Sequence, residues 1–151
     1  MSKRPSQDTA SAPSLKGRAL RLLAGREHSR LELERKLAAH AREPGELERL
    51  LDELQAKDFI NEQRVLESVV HRRAERFGLA RIQQELASRG LGGQAVDHAL
   101  GVLKASELDR ARSIWARRFG QACSDPRERA RQIRFLIGRG FSAEVARKVT
   151  G

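Results

Sequence analysis

The 151 residues are 39% hydrophobic but only 4% aromatic, with no Tyr and one Trp. That is thin for one large core and suits several small leucine-built ones. The single Cys123 excludes an internal disulfide, and no apolar run approaches the ~18 residues of a membrane-spanning helix. With no signal peptide, a cytoplasmic protein is expected. The net charge of +10 is uneven: residues 110–151 carry 11 basic and 3 acidic side chains, so +8 lies in the last third. Of the 30 basic residues 24 are Arg, the side chain whose planar fork fits phosphates and carboxylates.

Residues 1–14 show no periodicity and are expected to form a disordered leader. From Leu15 the pattern is helical. Leu15, Ala19, Leu22 and Leu23 form a first apolar face that Gly25 stops. Ser29 and Glu32 have capping-box spacing and open a helix presenting Leu33 and Leu37. Pro44 is placed in the first turn of a third helix, with Leu47, Leu50, Leu51 and Leu54 at i, i+3, i+4 and i+7. Phe59 and Ile60 are expected to tuck beneath it.

Asn61 caps a fourth helix with Val65, Leu66, Val69, Val70 and Phe77 inward, and Gly78 is expected to end it in the left-handed conformation. Leu79, Ile82 and Leu86 mark a fifth helix ending at Gly90, and Val96, Ala99, Leu100 and Leu103 a sixth. Ser106 is expected to cap a seventh helix closed by Gly120. Asp125-Pro126 opens the eighth, and Ser142 caps a ninth.

The pattern repeats. Ala74-Glu75-Arg76-Phe77-Gly78 returns 42 residues later as Ala116-Arg117-Arg118-Phe119-Gly120. Arg89-Gly90-Leu91 returns 50 residues later as Arg139-Gly140-Phe141, with an eight-residue insertion around Gln121 to Pro126. No segment alternates at period two. The expected fold is therefore all-α, a tandem array of three three-helix units (15–60, 61–104 and 105–151) forming an elongated, curved protein.

Catalytic and metal chemistry have no support in the sequence. His28, His40, His71 and His98 are scattered, and none pairs with Cys123 at a metal-ligand spacing. Gly90-Leu91-Gly92-Gly93 lacks the Lys and Ser/Thr of a phosphate-binding loop. Acidic residues alternate with basic ones on helix surfaces, as solvated ion pairs do. A binding or regulatory protein without cofactor is favoured over an enzyme.

In order and spacing, the chain from about 15 to 149 resembles the RecX family of bacterial recombinase regulators. The resemblance rests on Arg26-Glu27-His28-Ser29, Glu32-Leu33, Lys36-Leu37 and Phe59-Ile60-Asn61-Glu62. It continues through Phe77-Gly78, Arg81-Ile82, Glu85-Leu86, Arg89-Gly90-Leu91, Arg134-Phe135-Leu136 and Arg139-Gly140-Phe141. Asp58 stands where the family usually has Gly, and Val65 where it has an aromatic. The resemblance implies a curved, all-helical protein that docks in the groove of the RecA–single-stranded DNA filament; a monomer is expected. It also implies inhibition of RecA's ATPase, strand exchange and co-protease activities in recombination, DNA repair and the SOS response.

The candidate filament or DNA contacts are Arg110, Arg117, Arg118, Arg127, Arg131, Arg134 and Arg139. Leu108, Ala111, Trp115, Ile133 and Leu136 occupy the inward stripes of the same helices, so most of these arginines must point outward. A solvated face without a partner is the plainer account of them. Phe77, Phe119 and Phe141 are read as core plugs rather than base-stacking platforms. A competing function is direct DNA binding, with Leu79–Arg89 as the recognition helix of a helix-turn-helix. An all-helical scaffold with another partner is a third.

Overall fold

Local signals set the helix starts in a computed structural model that describes residues 12–151. The hydroxyl of Ser14 accepts the amide of Gly17 and opens α1 (Leu15–Gly25). The Ser29–Glu32 capping box forms and opens α2 (Arg30–Leu37), which runs into a short 3₁₀ turn at Ala38–His40. After α3 (Glu46–Ala56), the side chain of Asn61 caps α4 (Glu62–Arg73). Then come α5 (Leu79–Ser88), α6 (Gln94–Ala105) and α7 (Glu107–Arg118). Asp125 caps α8 (Pro126–Gly138) and Ser142 caps α9 (Ala143–Thr150). These nine α-helices, with no strand among the described residues, form an all-α helical repeat.

Three separate sets of side chains are buried. Leu33, Leu37, Leu51, Leu54 and Ile60 centre the first, and Val65, Val69, Ile82 and Leu86 the second. Ala111, Ile114, Leu136, Phe141 and Ala146 form the third. Each fully buried aliphatic side chain contributes about 1.5–3 kcal/mol, so each group of helices carries its own modest core. Helices pack mainly within their group, and α6 against α7 is the principal helix contact between groups.

Turns make the remaining joints, and the same turn is used twice. At the first joint the hydroxyl of Ser29 donates to the carbonyl of Arg89 (2.6 Å), and Arg89 pairs with Glu32 (2.8 Å). At the second, the amides of Gly78 and Ala80 donate to the carbonyls of Arg139 (2.8 Å) and Gly140 (3.2 Å). Ser29 and Gly78 are the N-caps of α2 and α5, so an Arg-Gly turn docks on a helix start each time. Asp125 and Pro126 hold the corresponding places on α8. There Asp125 accepts the amide of Arg127, the counterpart of the Ala80 amide that meets the turn at the second joint.

Several local expectations are corrected. Pro44 lies before α3, whose N-cap is Gly45 at φ 77°, because the chain needs a left-handed residue to enter the helix there. Ser106 makes no side-chain cap; its hydroxyl turns back to the carbonyl of Leu103. Gly78 does not end α4 in the left-handed region. It has φ −81° and opens α5, and its missing Cβ serves a close backbone approach instead. Ile60 is buried, but Phe59 stays 47% exposed. Asp58 does adopt a positive φ of 65°, held by Asn61 and Arg64. Of the leader expected over 1–14, residues 1–11 lie outside the described residues, and Ser14 belongs to the cap of α1.

Candidate nucleic-acid interface

The seven arginines singled out from the sequence divide into three sets. Arg110 points inward. Its guanidinium donates to the carbonyls of Ala74 (3.0 Å), Phe77 (2.7 Å) and Leu103 (3.0 Å) and to the hydroxyl of Ser106 (3.1 Å). Burial lowers its pKa, opposed by Glu107, but a guanidinium stays charged at any physiological pH. It closes the carbonyl end that follows α4, where the helix dipole favours a cation, and is unavailable as an outward contact.

Arg127, Arg131 and Arg134 follow one another at i, i+4 and i+7 along the exposed face of α8. Arg131 leans on Glu128 at 3.5 Å; Arg127 and Arg134 have no carboxylate partner among the described residues. This stripe is directed at solvent, because Gln132 and Leu136 take the inward positions of the same helix.

Arg117, Arg118 and Arg139 converge where the second and third groups of helices meet. They share an open cleft of ≈ 340 Å³ with Arg76, Glu75, Ile114 and Phe135. Arg117 donates to the carbonyl of Glu75 (3.0 Å), and Arg139 to that of Arg76 (3.5 Å). Arg118 and Arg139 lie over Phe135 with guanidinium carbons 5.4 and 5.1 Å from the ring centroid. Arg139 also faces Phe77, as do Arg73 and Arg81, the latter at 4.1 Å. Aromatic faces attract these cations and hold them in place without neutralising them.

The three phenylalanines read as core plugs have different surroundings. Phe141 is buried, Phe119 meets Phe135 edge-on at 5.3 Å, and Phe77 lies beneath the three arginines.

Comparison with known proteins decides the family. A curated protein from Leptothrix cholodnii, "Regulatory protein RecX", is 60% identical over 136 residues, which span 90% of this chain and 87% of that one. The chain belongs to the RecX family. A second RecX protein, from Ralstonia nicotianae, is 50% identical over 136 residues, or 90% of this chain and 86% of its own. The family profile described as "RecX, third three-helix domain" matches residues 105–150. The RecX crystal structure from Lactobacillus salivarius shares the fold with a TM-score of 0.70, at 19% identity over 89% of this chain and 91% of that one. Another RecX crystal structure gives a TM-score of 0.70 at 21% identity, covering 89% of this chain and 70% of its own.

Within this RecX fold, sequence reasoning passed over Arg76 and Arg81. Residues 61–109 sum to zero charge, which conceals that both reach the joint, Arg81 donating to the carbonyl of Gly138 and Arg76 accepting from Arg139 through its carbonyl. The signal was available, because Arg76 in Arg76-Phe77-Gly78 is the repeat counterpart of Arg118 in Arg118-Phe119-Gly120. Among the described residues no cluster of His, Cys, Asp or Glu could hold a metal ion, and no helix is long and apolar enough to cross a membrane.

Proposed function

We propose that this chain is a non-enzymatic cytoplasmic regulator that binds the RecA–single-stranded DNA filament as a monomer. In this reading it restrains RecA's ATPase, strand exchange and co-protease activities. The observation that carries the reading is membership of the RecX family across nine tenths of the chain. The arginines agree with it physically: an exposed stripe on α8 and a second set at the joint suit a nucleoprotein groove lined with phosphates and carboxylates. The three units proposed as modules, 15–60, 61–104 and 105–151, place both arginine sets in or beside the last.

A helix-turn-helix use of α5 is disfavoured by the joint. Recognition helices enter a groove by their N-terminal residues, yet at the start of α5 the turn at Arg139-Gly140 already takes the amides of Gly78 and Ala80.

The deciding experiment measures ATP hydrolysis by RecA on single-stranded DNA with this protein at substoichiometric amounts. A falling rate with shorter filaments by microscopy is expected. An unchanged rate and an unchanged filament length would rule the reading out.

A further inference from the structure

We propose that the cleft between Arg76 and the α7–α8 pair is a phosphate site that holds one phosphodiester of a nucleic-acid backbone across the second and third helix groups. This deepens the filament reading by assigning the chemistry of one contact, and it depends on that reading only for its biological setting.

Four guanidinium groups from three elements line this cleft: Arg76 after α4, Arg117 and Arg118 at the end of α7, and Arg139 after α8. Glu75 is the one acid on its rim. Arg117 and Arg139 are tethered through single bonds to the carbonyls of Glu75 and Arg76. A guanidinium has five N–H donors, so most of theirs stay unused. The guanidinium groups of Arg76 and Arg118 donate to no protein acceptor among the described residues, while the Arg76 backbone amide donates to the carbonyl of Arg73. Like charges held this close repel, and an anion between them replaces repulsion with attraction. Arg117, Arg118 and Arg139 are thus held in place, and none of the four arginines pairs with a carboxylate among the described residues.

Its geometry favours phosphate over the alternatives. A carboxylate is planar and matches one fork, whereas the oxygens of a phosphodiester point in different directions and can meet forks arriving from separate helices. A stacked base is disfavoured, because Arg118 and Arg139 already cover Phe135. Recognition here is therefore of backbone, without sequence preference. The site also bridges the joint: Arg76 belongs to one side of the Gly78–Arg139 contact and the other three arginines to the opposite side.

The test uses the full chain alone and a short fluorescein-labelled oligothymidine, read by anisotropy over a salt series. The pocket pair Arg76→Gln with Arg118→Gln removes two charges that support no hydrogen bond of the fold. The control pair Arg21→Gln with Arg147→Gln removes two exposed charges elsewhere. Circular dichroism and the emission of the single Trp115 verify that both pairs are folded.

The pocket pair is expected to weaken binding about tenfold and to lower the log–log salt slope by about 0.7, the share of one phosphate on a single strand; the control pair should weaken binding less than about twofold. Equal losses for the two pairs would overturn the site. So would a wild-type chain that does not bind the oligonucleotide, or a hexaglutamate peptide that displaces it as well as unlabelled oligothymidine does. RecA ATPase is measured on the same variants. Pocket-dependent oligonucleotide binding without RecA inhibition would retire the filament reading and keep the site. Inhibition with pocket-independent oligonucleotide binding would do the reverse.

Discussion

The amide of Gly78 donates to the carbonyl of Arg139 at 2.8 Å, and this approach leaves no room for a side chain. A Cβ on Gly78 would overlap the carbonyl group of Gly140 and come within 2.5 Å of the amide nitrogen of Phe141. The counterpart at the first joint, Ser29, can carry a side chain because its hydroxyl itself makes the bond to Arg89. One structural task is met by a backbone amide in one place and a hydroxyl in the other.

Gly78→Ala should therefore destabilise the protein by about 1–3 kcal/mol, as overpacking against rigid backbone does. Gly101 lies in α6 with open space around it. Its replacement by Ala should stabilise by about 0.5–1 kcal/mol, through the lower backbone entropy of the unfolded chain. Urea titrations of both variants test the contrast. Equal effects of one sign would mean that the joint does not constrain Gly78.

Leu86 and Leu136 occupy equivalent places in the second and third cores, and both are fully buried. Each Leu→Ala substitution should cost about 2–5 kcal/mol, the sum of lost burial and an incompletely collapsed cavity. A neutral result at either position would break the equivalence of the two repeats there.

Arg110→Ala should cost about 2–3 kcal/mol, since hydrogen bonds from a charged group to the carbonyls of Ala74, Phe77 and Leu103 are lost together. Arg110→Lys should recover little, because one ammonium cannot reproduce a fork that reaches carbonyls on two helix ends. The triple change of Arg127, Arg131 and Arg134 to Ala should leave the thermal transition nearly unmoved and weaken RecA inhibition. Thermal melts and the ATPase assay together separate the internal arginine from the external ones. A stable, fully active triple variant would mark the α8 stripe as a solvated face.

His28 sets a pH dependence. It is 2% exposed, with Nδ1 3.0 Å from the carbonyl of Arg26 and Nε2 3.2 Å from Nζ of Lys36. The neutral ring satisfies both partners, donating to the carbonyl and accepting from the ammonium. Burial pushes its pKa below the usual 6.5; the charges of Arg26 and Lys36 act the same way, while the bond to the Arg26 carbonyl and Glu32 oppose them. The unfolded chain thus takes up a proton at a higher pH than the folded one. Stability from this group is present above about pH 6.5 and is lost as pH falls from there toward the lowered folded value. Urea titrations at about pH 7.5 and about pH 5.5 should show wild type losing more stability than His28→Gln. Identical losses would place the acid sensitivity elsewhere.

The sequence by itself determined the elements and their repetition. Apolar spacing at i, i+3, i+4 and i+7 predicted α3 and α6, and the caps at Ser29, Asn61, Asp125 and Ser142 act within a few residues of themselves. Such signals are short-range, and neighbouring residues suffice to read them. The tertiary structure alone decided how the groups join and which arginines meet. Arg110 carries the same charge as its neighbours, but the carbonyl ends it caps are 33 and 36 residues away. Arg76 adds nothing to a net charge that sums to zero over 61–109, yet the joint at Gly78 brings it beside Arg118 and Arg139. Charge counted along a chain says how much positive potential exists. Only the packing of one helix group on the next decides where it concentrates.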